Sequence, residues 1–246
     1  MVPGLGHFSF LDNIFQARFD LRIHIINQTL SLPCLQEKPK LYTYFRSSCS
    51  WRVRIALNIT GLEVDMEPVH LVKGVQHSEE YRRVNPMGQV PALVIDDMTL
   101  TQSVAIMEYI HDLHPEAGIL PSKPETRAVV RMISEMISSG IQPIQNLSVM
   151  KHHSKDPTER QVWAHHWIAA GFSALETVLQ TTAGLYCVGD SPSMADCCLV
   201  PQVFNARRWK VDMSPFPTIS AIETRLNKLE PFIKAEPSNQ PDYPTE

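Results

Sequence analysis

Hydrophobic and polar positions change period along this chain. Leu41-Tyr-Thr-Tyr-Phe45 is a run of β-forming residues and predicts a strand. Ser47-Ser-Cys-Ser50 then offers hydroxyls to a helix N-terminus. Trp51–Thr60 follows with Val53, Ala56 and Leu57 on one face and Gly61 to close it. Glu63–Val69 predicts a second strand, Ala92-Leu-Val-Ile95 a third, Asp96-Asp97 a tight turn and Met98–Leu100 a short fourth. Ser103 is expected to cap a helix reaching His114, with Ile106, Ile110 and Leu113 on one side. The order β-α-β, then β-β-α, joins a parallel crossover to a terminal hairpin. It predicts one mixed sheet covered by helices.

After the proline-bearing connector Pro115–Pro124 the period is helical almost throughout. Trp163, Trp167, Ala170, Ala174 and Val178 fall at helical spacing and are expected to form the core stripe of a long helix. Ser193-Met-Ala-Asp196 has capping-box form and starts a helix to about Arg207. Pro217–Leu229 predicts the last substantial helix, and the residues after Pro231 read as a polar, proline-rich tail. The expected organisation is an α/β domain over 38–119 and an all-helical domain over 124–246. Residues 1–37 precede them as a leader of poor order. Arg18 and Arg22 in the leader are balanced by Asp12 and Asp20, unlike an acid-poor organelle-targeting presequence, so mitochondrial targeting is only the alternative.

Composition narrows the partners. The 246 residues are 43% hydrophobic and 20% charged, an ordinary globular mixture. Lys and Arg number 22 against 26 Asp and Glu, for a net charge of −4, which excludes phosphate backbones as the main partner. No apolar run reaches the length of a membrane span, so no membrane partner is expected. Five cysteines (Cys34, Cys49, Cys187, Cys197, Cys198) read as thiols of a reducing compartment, hence a cytoplasmic location, with Cys197 and Cys198 in the core. His152-His153 and His165-His166 point about 100° apart within each pair on a helix and lack ligands at metal spacing, so no metal is expected.

Candidate chemistry gathers in the first domain. Ser47, Ser48, Cys49 and Ser50 lie where a strand feeds a helix, and free N–H groups with the positive end of the helix dipole favour an anion such as a thiolate there. Taken alone the string is no more than a serine-rich cap. Cys49 has no second cysteine nearby for dithiol exchange. Asn85-Pro-Met-Gly-Gln-Val-Pro91 sets a proline just before the third strand, where a cis bond would aim the backbone of Val90 outward. Ser103 is both a cap and a seat for a carboxylate.

Taken together, Ser47-Ser-Cys-Ser-Trp-Arg-Val-Arg-Ile-Ala56, Asn85-Pro-Met-x-Gln-Val-Pro91, Gln102-Ser-x-Ala-Ile106, Gly140-Ile-Gln-Pro-x-Gln-Asn-Leu-Ser148 and Tyr186-Cys-Val-Gly-Asp190 resemble the zeta class of glutathione transferases, the maleylacetoacetate isomerases. The likeness runs from Lys38 to the C-terminus. It implies a thioredoxin-like N-terminal domain, an all-α C-terminal domain, a homodimer and glutathione as cofactor. It places Ser47 against the glutathione sulfur with Ser48 and Cys49 beside it, and extends that contact to Ser50, Trp51 and Arg52. The backbone of Val90 would pair with the tripeptide, Gln102 and Ser103 would take its γ-glutamyl end, and Gln76 or His77 its glycyl end. The chain is about two residues short of the pattern around Lys73-Gly-Val. From the second domain, Gln142, Asn146, Leu147 and Ser148 would close the site, and Arg208 would receive a carboxylate of the small dicarboxylate substrate. Gly88 stands where many members carry a larger residue.

The implied reaction is the cis–trans isomerisation of maleylacetoacetate, a step of phenylalanine and tyrosine catabolism, with side transfer of glutathione to small α-halo acids. A thiolate that adds to a conjugated alkene, permits rotation and leaves is a regenerated nucleophile. A thiol near pKa 8.5 is only a few per cent ionised at neutral pH, so the anion needs a hydroxyl donor and a helix N-terminus. Two other classes keep the same motifs: a general detoxifying glutathione transferase or peroxidase, and a non-catalytic glutathione-fold binding module.

Overall fold

The computed structural model describes residues 37–244, so the leader and Cys34 lie outside the described residues. Strand β1 (Lys40–Thr43) leads into α1 (Ser48–Thr60), which ends at Gly61 in the left-handed region with φ 73°. Then come β2 (Asp65–Pro68), α2 (Glu79–Val84), β3 (Ala92–Ile95), β4 (Met98–Thr101) and α3 (Ser103–Leu113). The sheet runs β2-β1-β3-β4, with β1 parallel to β2 and antiparallel to β3, and β3 antiparallel to β4. Leu41 pairs with Leu93 at its centre, and both are fully buried. The expected mixed sheet is present with its strands trimmed. β1 stops at Thr43 rather than Phe45, and β2 covers only 65–68 of the expected 63–69.

Helices alone follow: α4 (Pro124–Glu135), a π-helical turn (Met136–Ile141), α5 (Leu147–His153), α6 (Pro157–Thr182), α7 (Met194–Arg208), α8 (Pro217–Leu226) and α9 (Glu230–Ala235). They pack with the sheet into one unit, the main contact being α1 against α7. Among the described residues no helix is long and apolar enough to cross a membrane.

Two sequence expectations need correction here. The buried row of α6 is Ala164, Ile168, Phe172, Leu175 and Leu179, whereas Trp167, Ala170 and Ala174 face solvent. The stripe chosen from the sequence is one residue out of register. Trp163 sits at the rim, its indole N–H donating to Ile144 O at 2.9 Å. The supposed tail after Pro231 contains most of α9, which lies against α1 with Phe232 and Ala235 buried. Burial against a neighbouring element, not local propensity, makes this six-residue helix.

Capping carries through the helical part. Glu176 of α6 is buried and accepts from the backbone N–H groups of Thr218 (2.8 Å) and Ile219 (3.0 Å), capping α8. Gly171 leaves room for Ile141 of the π-helical turn, because a Cβ there would stand 2.4 Å from the Ile141 side chain. That contact fixes where the segment after the turn emerges.

Candidate active site

Ser47 is the N-cap of α1, as its position after β1 predicts. Its backbone is extended (φ −73°, ψ 116°), and its Oγ accepts the Ser50 N–H at 3.2 Å. A hydroxyl has one proton and two acceptor sites, so this bond leaves the Ser47 O–H free to donate outward. Ser48 and Cys49 follow in the first turn, both half-buried, with backbone N–H groups that no preceding turn can satisfy. Ser50, Trp51 and Arg52 differ from the expectation. All three are buried beneath the helix end, with Trp51 edge-on to Phe204 of α7 at 5.4 Å. Their side chains therefore take packing and supporting places.

The second expected group lies ahead of β3. The Val90–Pro91 bond is cis. The N–H and C=O of Val90 make no hydrogen bond to another described residue, so both remain available to an extended ligand. The loop behind is fixed by Tyr81 Oη and Asn85 Nδ2, which donate to Gln89 O at 2.6 and 2.7 Å. Gly88 has φ +62°, and a Cβ there would come within 2.8 Å of Gln76 O. Gln76 O thus stands against a position only glycine fits. Gln76 is half-buried with its Nε2 3.2 Å from His77 Nε2, while His77 is exposed.

At the start of α3 the expected cap is displaced by one residue. Gln102, not Ser103, is the N-cap, with φ 72° and no side-chain capping bond. Its Nε2 lies 3.5 Å from Met87 Sδ. Ser103 is the first helical residue, and its Oγ accepts from Arg52 Nη1 at 3.2 Å. A helix beginning without its own cap presents bare N–H groups to whatever lies before it.

From the helical part, Asn146 caps α5, accepting from Ser148 N at 3.0 Å and Ser148 Oγ at 2.9 Å. Gln142, Asn146, Leu147 and Ser148 gather around the π-helical turn and make no hydrogen bond to the sheet half among the described residues. Arg208 ends α7, its guanidinium 5.0 Å from the Trp209 ring centre. More than a third of its surface faces solvent, yet crowding by protein atoms, then the positive charge of Arg46, pulls its pKa below the usual arginine value. Tyr44 feels the charge of both arginines. Burial, aided by the negative charge of Asp242, raises the Tyr44 phenol against the opposing pull of Arg46 and Arg208. Arg46 adjoins Ser47 in the chain, and its charge is felt by Arg208 at the end of α7.

Two surface recesses are found elsewhere. One of about 400 Å³ lies between Leu57–Val64 and Glu230–Lys234, and one of about 690 Å³ runs along Gln161–Ala170. Neither contains these groups.

Residues 37–112 match the family described as "Glutathione S-transferase, N-terminal domain". The chain is 56% identical over 211 residues to the maleylacetoacetate isomerase of Mus musculus, covering 85% of this chain and 97% of that protein. The chain belongs to the maleylacetoacetate isomerase family. Among solved structures it resembles a bacterial zeta-class maleylpyruvate isomerase, with TM-score 0.81 and 37% identity over 83% of this chain and 100% of that one. It also resembles the maleylacetoacetate isomerase of Anaeromyxobacter dehalogenans with glutathione bound in its active site. That match has TM-score 0.78 and 41% identity, over 84% of this chain and 98% of the other. The glutathione transferase fold expected from the zeta-class motifs is therefore present.

Four residues that brace these elements, two of them inside the quoted motifs, had no role in the sequence reading. Arg54 is fully buried and donates to Thr43 Oγ1 (3.1 Å), Tyr44 O (3.3 Å), Phe45 O (2.9 Å) and Ala235 O (3.1 Å from Nη2). It fastens the loop before Ser47 to α9. Burial pulls its pKa down to about 9, so it is still a cation at neutral pH. Asp242 accepts the Phe45 N–H at 2.8 Å, and Tyr243 meets the Phe45 ring edge-on at 5.4 Å. Gln145 is buried, accepts from Trp209 Nε1 at 3.1 Å and donates to Gln202 Oε1 at 3.2 Å, tying the segment before Ser148 to the helix that carries Arg208. For Arg54 the available signal was its place within the apolar stretch Val53–Leu57 of α1.

Proposed function

We propose that the protein is a glutathione-dependent isomerase converting maleylacetoacetate to fumarylacetoacetate. The observation that carries this is the Ser47 hydroxyl: its acceptor side is occupied by Ser50 N–H, and its proton is free at an open helix N-terminus. Groups without partners suit the polar atoms of an extended anionic tripeptide. They are the Val90 backbone pair, the uncapped start of α3 and the first N–H groups of α1. Bound there, glutathione supplies a thiolate that adds reversibly to the cis double bond and is regenerated.

The chain's own residues prepare that event. Ser47 donates to the sulfur, and the α1 dipole adds to the preference for the anion. Ser48 and Cys49 flank it as supporting groups. Val90 aligns the peptide, Gln102 and Ser103 take the γ-glutamyl end, and Gln76 or His77 lies toward the glycyl end. Gln142, Asn146, Leu147 and Ser148 close the site from the helical part. Arg208 receives one carboxylate of the substrate, for which a planar fork of donors is suited. The same site transfers glutathione to small α-halo acids. The protein works as a homodimer in the cytoplasm, which sedimentation and fractionation check.

The test is turnover by the purified full chain. Maleylacetoacetate is expected to isomerise only with glutathione present, and faster than α-halo acids or hydroperoxides react. Equal rates without glutathione overturn the reading. Faster reaction of hydroperoxides favours a detoxifying enzyme, and binding of glutathione with no turnover of any substrate favours a binding module.

A further inference from the structure

Arg52 and Arg54 sit two positions apart on α1, each about 1% exposed, but their surroundings differ. Arg54 spends every guanidinium nitrogen on oxygen acceptors. Arg52 makes one hydrogen bond, from Nη1 to Ser103 Oγ, while its Nε and Nη2 are buried without a partner. No ion pair joins it to a carboxylate among the described residues. A buried guanidinium so poorly matched is costly unless a counter-anion completes it.

The single bond it makes has a direction. Because Ser103 Oγ accepts from Arg52, its own proton is left to donate elsewhere. Ser103 opens α3, whose N-cap residue Gln102 is held at φ 72° and offers no side-chain cap. An anion seated there meets the Ser103 O–H, the first N–H groups of α3 and a buried positive charge directly behind the hydroxyl.

We propose that Arg52 is a positioning residue for the γ-glutamyl carboxylate of glutathione: acting through Ser103, it fixes that hydroxyl as a donor and supplies the countercharge the carboxylate requires. The role rests on the glutathione reading above and adds the residue that gives the γ-glutamyl end its selectivity. Arg52 itself stays out of contact with the ligand. A hydroxyl polarised by a cation in a dry setting donates more strongly than one facing water.

The experiment uses the full chain, calorimetric binding of glutathione and of cysteinylglycine, steady-state kinetics and thermal melting. Arg52→Met is expected to weaken glutathione binding at least about tenfold, as loss of a charge-assisted bond does. The loss should appear in KM for glutathione and not in kcat. Cysteinylglycine, which lacks the γ-glutamyl group, should bind both forms alike. Ser103→Ala should weaken binding comparably, with the double variant within about twofold of either single one, since coupled partners are not additive. Arg52→Lys should recover part of the loss. Ser103→Asp places a fixed carboxylate on Arg52. It should raise the melting temperature by about 2–4 °C, the size of a kilocalorie-scale gain in a chain this long, while abolishing glutathione binding.

Unchanged glutathione affinity in folded Arg52→Met overturns the role. If that variant does not fold, a lower melting temperature in Ser103→Asp overturns it instead. Failure of the unaltered chain to bind glutathione removes the reading of the site, and this role with it. Normal binding by the unaltered chain with an unaffected Arg52→Met removes this role alone.

Discussion

Two helices of this chain open on a serine with a polar residue three positions on, and the chain treats them in opposite ways. At α7, Ser193 is answered by its own Asp196, which is fully buried and accepts Ser193 N–H and O–H at 2.8 Å each and Cys187 N–H at 2.9 Å. At α1, Ser47 has only Ser50 behind it, no acid stands in the first turn, and Ser48 and Cys49 are half open. One helix start carries its acid in the sequence, and the other has none in its first turn. The cysteines divide likewise. Cys187, Cys197 and Cys198 are buried, and burial pushes all three thiols up in pKa, whereas Cys49 stands beside the open start. The contrast teaches that the helix dipole is common to both, and that the side chain at the third position decides whether the start is closed from within or left open.

The largest effect is expected from breaking the closed start. Asp196→Ala strands three donors in the core and should cost about 3 kcal/mol or more, enough to lower the melting temperature by roughly 6–12 °C. The surviving folded fraction should keep its glutathione-dependent turnover, so a selective loss of activity would contradict the division. Ser47→Ala does the reverse. Turnover should fall at least about tenfold, while stability drops only by the value of a cap, about 1 kcal/mol. Near-normal turnover in that variant removes Ser47 from the chemistry.

The short helix α2 (Glu79–Val84) between β2 and β3 was not legible in the sequence, whereas the strand order, the β3–β4 hairpin and the Ser193–Asp196 box were. Each is written in local spacing, so tertiary context had little to add. The α6 register was not legible. Trp163 and Trp167 are large enough to suggest a core, yet an indole whose N–H needs a partner settles at a rim, and the smaller Ala164 and Ile168 go inside. Arg54 was silent for a different reason: its acceptors are backbone carbonyls of Tyr44, Phe45 and Ala235, which no side-chain pattern announces. The Ser47 N-cap and the proline after Val90 were visible as motifs, because local backbone fixes both. The burial of Ser50, Trp51 and Arg52 depends on α7 and α3, and emerged only with the fold.

Smaller effects sharpen the contrast further. Ser48→Asp puts a fixed negative charge at the open start and should oppose the thiolate. The acid limb of the pH–rate profile is then expected to move upward by about half a pH unit, the size of a dipole-scale interaction; a downward move would contradict the anion-seat reading. Cys49→Ala should lower turnover by less than Ser47→Ala, as befits a supporting group. Gentle alkylation reads the same contrast without a substitution. Among the four described cysteines Cys49 should react in the native state and Cys187, Cys197 and Cys198 only on unfolding, which peptide mapping reads directly.

The hold that Asp242 and Arg54 keep on the Phe45 backbone gives the last dozen residues a reach far beyond their place in the chain. Trimming by a carboxypeptidase, or an affinity handle fused at that end, would loosen a turn some two hundred positions upstream. Preparations differing only in their final residues are expected to differ in catalytic quality while looking equally well folded.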